Sequence, residues 1–265
     1  MIGAFALTEP SAGSDAGNTN TIALKEGDNY IINGQKVFCT NAGVAGTIIF
    51  TARIMDNNRD NGIGAFIVET DTEGLTVGNK ENKMGWKASD TRSVFFENMK
   101  IPSSSILGDP SKGFKQFLNT LTGGRVTIAS LSLGIAIGAY EKSLQYSRER
   151  EAFGKPINNF QGISFKLADM ATQIQAAKHL VYHAAWLKDN NLPFIKEAAM
   201  AKLFASELAM MVTTEAIQIH GGYGYIKEYD VERFFRDAKI LEIGEGTSEI
   251  QRIIISREIL KTNYI

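Results

Sequence analysis

The apolar positions change rhythm once along the chain, after Ile101-Pro102. Before that point, short runs of β-branched and aromatic residues are separated by Gly and Asn clusters, with no helical period of useful length. Tyr30-Ile31-Ile32 and residues 35–40 flank Asn33-Gly34, a pair that tolerates the positive φ angles of a two-residue turn, so a hairpin is predicted there. Further strands are predicted at 47–54, 64–69 and 92–96. No helices intervene, which points to an antiparallel sheet or barrel and away from a doubly wound fold. From residue 112 the period becomes helical, predicting helices at 112–150, 161–189, 194–220 and 230–240 and a last one from 247. Pro156, Pro193 and Gly221-Gly222 mark the breaks. Ala198, Ala201, Ala205 and Ala209 form a face that another helix can approach closely. Short connections imply antiparallel neighbours. The predicted class is α+β: a barrel-like antiparallel β domain over 1–105, then an antiparallel four-helix bundle over 106–265.

Composition narrows the function classes. The chain has 265 residues, enough for two domains, with 44% hydrophobic and 22% charged residues, ordinary for a soluble globular protein. A net charge of −1 without a basic stripe argues against a nucleic-acid partner. The longest apolar runs are broken by Gly, Ser or charge, so no membrane span is expected. The first residues lack the basic start and apolar length of a secretory signal, and Cys39 is the sole cysteine. A cytoplasmic setting is the expectation.

Five stretches carry candidate chemistry. In Ile243-Gly244-Glu245-Gly246-Thr247-Ser248-Glu249-Ile250-Gln251-Arg252, one carboxylate stands between two glycines ahead of a helical pattern (Ile250, Ile253, Ile254, Leu260) that Thr247 can cap. Desolvation there would raise the Glu245 pKa and make it a better base near neutral pH; a surface loop beside a helix end has the same wording. Phe5-Ala6-Leu7-Thr8-Glu9-Pro10-Ser11-Ala12-Gly13-Ser14-Asp15 runs from a strand into a hydroxyl-rich turn that exposes backbone N–H groups. Phe38 and Thr40, two apart, share a strand face and could equally be core and strand residues. Arg148-Glu149-Arg150-Glu151-Ala152-Phe153-Gly154-Lys155-Pro156, followed by Phe160-Gln161, is a charge run at a helix end, normally a solvated face. Thr122-Gly123-Gly124-Arg125 places a cation beside paired glycines. His179 and His183 have metal-ligand spacing but lack an intervening acid and a third ligand, so no metal is expected. Gly222-Tyr223-Gly224 follows a helix and not a strand, which excludes a nicotinamide loop.

The wording of these stretches resembles the acyl-CoA dehydrogenases. Glu-Gly-Thr-Ser-Glu-Ile-Gln-Arg from Glu245, with Arg236-Asp237-Ala238-Lys239-Ile240 upstream, is similar to the family's C-terminal signature. Thr8-Glu9-Pro10-Ser11-Ala12-Gly13-Ser14-Asp15 and Arg150-Glu151-Ala152-Phe153-Gly154-Lys155-Pro156 match two more motifs, and residues 192–202 look like the short-chain branch. The resemblance implies FAD as cofactor, contacted by Phe5, Leu7, Thr8, Gly13, Ser14, Phe38 and Thr40 on the β side. Arg150 at the pyrophosphate, Phe153, Gln161, Gln218, Gly221, Gly222, Thr247 and Glu249 are implied on the helical side, partly across a subunit interface. Ser14, Thr122, Arg125, Gly244 and Gly246 are implied at the substrate. Three departures stand out: Phe38 replaces the family's usual tryptophan, Thr122 an aspartate near the CoA arm, and Gly244 a tyrosine.

The implied activity is α,β-dehydrogenation of an acyl-CoA, as in fatty-acid β-oxidation. Glu245 takes the α-proton, flavin N5 accepts hydride from the β-carbon, and the product is a trans-2-enoyl-CoA. Electron-transfer flavoprotein is the implied acceptor, with direct use of oxygen, as in acyl-CoA oxidases, the alternative. The implied assembly is a homo-oligomer, a dimer of dimers. The chain starts where the family's β domain starts, so it resembles the last two of three domains. Alone it is expected to self-associate, hold FAD weakly and turn over poorly, with Glu245 partly hydrated and drifting toward its solution pKa. A fragment kept for binding or assembly is the non-enzymatic reading.

Overall fold

The computed structural model describes residues 2–261. They divide into two compact units, the first ending at Thr120 and the second beginning at Leu121, a division that falls within a long helix.

The first unit is built on seven strands: β1 (Gly3–Ala6), β2 (Ile22–Glu26), β3 (Asn29–Thr40), β4 (Thr47–Asp56), β5 (Arg59–Glu69), β6 (Leu75–Lys80) and β7 (Thr91–Pro102). The sheet is mixed and not purely antiparallel. Both β1 and β2 run parallel to β4, while β2–β3, β3–β7, β4–β5 and β6–β7 are antiparallel. Strand β1 takes residues 47–50 of β4 and β2 takes 53–55, so two successive strands share one edge. These pairings join segments far apart in sequence, which local alternation cannot reveal. Phe50 of β4 lies 4.5 Å from Phe96 of β7 and 5.5 Å from Phe66 of β5, so the sheet curls around one aromatic core.

Asn33-Gly34 does not turn the chain. It lies inside β3, at a bulge between Ile32 and Gly34. Gly34 has φ +150°, and a Cβ there would stand 2.6 Å from Thr21 Cα, so glycine serves a close backbone crossing. Two-residue turns with positive φ at both central positions occur instead at Asn57-Asn58 (48° and 62°), between β4 and β5, and at Phe153-Gly154 (50° and 77°).

The second unit carries α1 (Gly113–Glu149), whose first turns belong to the first unit, then β8 (Glu151–Ala152), β9 (Lys155–Pro156), α2 (Gln161–Asp189), α3 (Ile195–His220), α4 (Val231–Ala238) and α5 (Ser248–Ile259). The four-helix expectation becomes three long helices and two short ones among the described residues. Helix α3 is the hub, packing on α2, α4 and α5, and Ala198, Ala201, Ala205 and Ala209 are fully buried on it. The segment Pro110–Glu149 holds a window of mean hydropathy 1.3 and by length and composition could cross a membrane. Its apolar face (Val126, Ala129, Leu133, Ala136, Ala139) is buried in the helical core, as in a core helix. The expected apolar stripe is partly exposed, at Ile253 in α5 and at Leu260 just after it, while Ser248 and Gln251 are buried.

Candidate active site

In the first unit, Glu9 organises the turn that follows β1. Its buried carboxylate accepts from Lys36 Nζ at 2.6 Å, Thr19 Oγ1 at 3.2 Å, and the Asn20 and Thr21 N–H groups at 2.6 and 3.1 Å. Lys36, also fully buried, donates further to the Leu7 carbonyl at 3.2 Å and to Thr51 Oγ1 at 3.1 Å. Burial opposes ionisation of both. At Glu9 the hydrogen bond and charge of Lys36, with the Thr21 and Asn20 donors, together outweigh it and hold the carboxyl below its ordinary value, whereas burial prevails at Lys36 and lowers its pKa. Glu9 and Ala12 close a tight turn through two 3.1 Å backbone bonds, leaving Gly13 and Ser14 exposed. Val37 N–H donates to the Thr8 carbonyl at 2.8 Å, which lays this segment beside β3.

There Phe38, with φ +57° and 66% exposed, and the exposed Thr40 flank buried Cys39. Phe5 stacks on Phe117 at 4.4 Å with part of its ring open. Phe5, Leu7, Thr8, Phe38 and Thr40 therefore lie on adjoining segments, an apolar and hydroxyl surface suited to a planar ring.

In the second unit, Glu245 (φ +56°) and Gly246 (φ +88°) are consecutive left-handed residues just before α5. Thr247 caps that helix, its Oγ1 accepting from Ile250 N–H at 3.3 Å. The Glu245 carboxylate lies against the backbone of α1: a Cβ on Gly124 would stand 2.6 Å from Oε2. Oε2 is buried and has no hydrogen-bond partner. The next residue of α1, Arg125, is buried, donates from Nη1 to Thr122 Oγ1 at 3.2 Å, and leaves Nε unpartnered. Burial raises the Glu245 pKa, against the opposing pull of Arg125 and Lys202. Desolvation at this position comes from packing within the unit, where the carboxylate lies against Gly124.

The predicted cofactor residues of the second unit separate into groups. Arg150, Gly221 and Gly222 line one cleft of about 530 Å³ with Tyr146, His220 and Tyr223. The Arg150 guanidinium lies 5.5 Å over the Tyr223 ring, and Tyr146 stacks on His220 at 4.3 Å. Both glycines face open space. An exposed cation, open space beside two glycines and aromatic rings suit a phosphate-bearing aromatic ligand. Thr247 and Glu249 line a smaller cleft of about 200 Å³ with Glu207, Lys239 and Glu242. Phe153 sits at the tip of the β8–β9 hairpin, 95% exposed, and the exposed Gln161 and Gln218 do not line the Arg150 cleft. His179 bonds Gln175 at 3.1 Å and His183 stacks on Trp186.

Sequence reasoning misses Lys202, Gln251, Glu9 and Lys36. Lys202 had a signal: it stands four residues after Ala198 and three before Ala205, a lone lysine on an alanine face that is buried throughout. Gln251 and the Glu9–Lys36 pair carry none that periodicity could show.

The family model described as "Acyl-CoA dehydrogenase, C-terminal domain" matches residues 111–260, and the one for the middle domain matches 4–99. The chain is 57% identical over 262 residues to the "Probable acyl-CoA dehydrogenase YngJ" of Bacillus subtilis, covering 98% of this chain and 69% of that one. It is 47% identical over 258 residues to the "Caffeyl-CoA reductase-Etf complex subunit CarC" of Acetobacterium woodii, covering 97% and 68%. The solved butyryl-CoA dehydrogenase from Megasphaera elsdenii superposes with a TM-score of 0.94 at 50% identity, covering 98% and 68%. The chain thus spans about two thirds of the length of these relatives.

Proposed function

Because this chain belongs to the acyl-CoA dehydrogenases, a family of FAD-dependent enzymes, we propose that it dehydrogenates a short acyl-CoA thioester between Cα and Cβ with Glu245 as the base. The observation that carries this reading is the Glu245 carboxylate: half-buried, raised in pKa, with one oxygen free of partners.

The donor sets fit FAD. Phe5, Phe38 and Thr40 offer an apolar face with a hydroxyl for the ring system. Arg150 offers charge, and the open space beside Gly221 and Gly222 offers room, for phosphate. FAD supplies the two-electron acceptor for the hydride that leaves Cβ. The rest belongs to the chain. Glu245 takes the proton from Cα, so the electrons of that C–H bond form the Cα=Cβ bond of a trans-2-enoyl thioester. A desolvated base with a raised pKa is better matched to that acid than a solvated carboxylate. Arg125, buried and with Nε uncommitted, sets a positive field beside the base and the developing enolate charge. Gly244 leaves room where an aromatic would stand.

Electron-transfer flavoprotein is the proposed acceptor, supported by the 47% identity to the subunit of an Etf complex. The proposed setting is short-chain β-oxidation in the cytoplasm, in a homo-oligomer whose Arg150 cleft serves FAD at a subunit interface. The test is an anaerobic titration of the FAD-loaded protein with acyl-CoAs of graded length. Flavin bleaching should be fastest near butyryl-CoA; no bleaching by any acyl-CoA would refute the reading. Reoxidation by the flavoprotein faster than by air separates a dehydrogenase from an oxidase.

A further inference from the structure

The base stands on a backbone conformation that L residues hold only when their surroundings over-determine it. Glu245 and Gly246 are both left-handed, and two side chains converge on the carbonyl between Gly246 and Thr247. Lys202 Nζ, from α3, and Gln251 Nε2, from α5, each donate to Gly246 O at 2.8 Å. Gln251 Nε2 also reaches Glu245 O at 3.2 Å. Both side chains are fully buried. Methionine or leucine would fill the Lys202 position between Ala198 and Ala205 without desolvating an ammonium. The ammonium instead spends its buried donor on the residue next to the base.

We infer that Lys202, together with Gln251, is a positioning residue for the base: the pair clamps the Glu245–Gly246 backbone and thereby presents the Glu245 carboxylate against Gly124. The inference rests on the reading of Glu245 as the base. The clamp acts through charge as well as geometry. Within this unit the charged groups facing Glu245 are Arg125 from α1 and Lys202 from α3, and Lys202 in turn faces Glu242, Glu249 and Arg125. Burial pushes the Glu245 carboxyl up and the two cations pull it down. Removing the Lys202 ammonium takes away one pull, so the carboxyl titrates higher still and the acid limb of the reaction moves to higher pH.

The experiment compares Lys202→Met and Gln251→Met with the parent protein in two measurements. The first is an infrared titration of the Glu245 carboxyl in the protein without flavin, with Glu245→Gln as the blank. The second is the anaerobic rate of flavin reduction by butyryl-CoA across pH in the FAD-loaded protein. Lys202→Met should raise the carboxyl midpoint by roughly one pH unit and carry the acid limb of the rate profile with it. Gln251→Met keeps the ammonium and loses the second donor. It should slow reduction roughly ten- to hundredfold without the upward shift of the midpoint expected in Lys202→Met, because it loosens the loop and leaves the ammonium's pull in place. It also carries the test should Lys202→Met fail to fold. An unmoved midpoint in Lys202→Met, or a Gln251→Met reduction rate within about twofold of the parent, overturns the clamp. Bleaching by Glu245→Gln would instead overturn the base itself, so the two failures are distinguishable.

Discussion

Gly124→Ala isolates the placement of the base from its chemistry. An alanine Cβ at this position would stand 2.6 Å from Glu245 Oε2 and 3.1 Å from Cδ, and Glu245 supplies all three of the nearest atoms. Ordinary contact begins at 3.4 Å, so the carboxylate must retreat by about 0.8 Å. The atom in the way is the end of a flexible side chain, so the fold can accommodate the methyl. Exchanging glycine for alanine inside α1 favours the helix by about 1 kcal/mol, or roughly 2–4 °C in Tm for a domain of this size. A displacement near 1 Å at a reacting group costs on the order of a hundredfold in rate. The expected variant is therefore at least as stable as the parent, binds FAD normally, and reduces its flavin roughly 10- to 100-fold more slowly in anaerobic stopped flow. Parental reduction at parental Tm would refute the argument that Gly124 is the floor on which the base rests. A large loss of Tm would show that the methyl meets backbone and not the carboxylate.

Three further variants test the same site. Glu245→Gln should abolish bleaching by acyl-CoA, a loss at or beyond roughly 10⁴-fold, while keeping FAD. Because burial raises the folded-state pKa of Glu245 above 4.5, its contribution to stability is full below the unfolded value and is lost as pH rises through the folded one. The glutamine variant should therefore melt higher than the parent at neutral pH and show no advantage in acid, which calorimetry at two pH values checks. Arg150→Ala should weaken FAD retention about ten- to hundredfold, the size of a lost charge-assisted phosphate bond, read by flavin absorbance after desalting. Gly244→Tyr should narrow the accepted acyl lengths by about 1–3 kcal/mol of discrimination per misfitting methylene, and an unchanged profile across acyl-CoAs would count against Gly244 as a wall of the pocket.

The sequence by itself determines the helical unit almost to the residue. Predicted spans of 161–189 and 194–220 become Gln161–Asp189 and Ile195–His220, because their buried faces repeat within the helix and their ends are set by proline and glycine. It also marks Glu245, since a carboxylate between glycines ahead of a threonine cap is local information. The tertiary structure decides what depends on distant partners. The parallel edges that β1 and β2 share on β4 and the bulge at Asn33-Gly34 depend on segments brought together only by folding. So does the Glu9–Lys36 pair that shapes the Thr8–Ser14 turn. The raised pKa of Glu245 has the same origin: burial arises where the loop before α5 meets Gly124 and Arg125 of α1, 121 and 120 positions earlier in the chain. A residue's desolvation is a property of its neighbours in space, so sequence can nominate Glu245 as the proposed base while only the packed helices desolvate it.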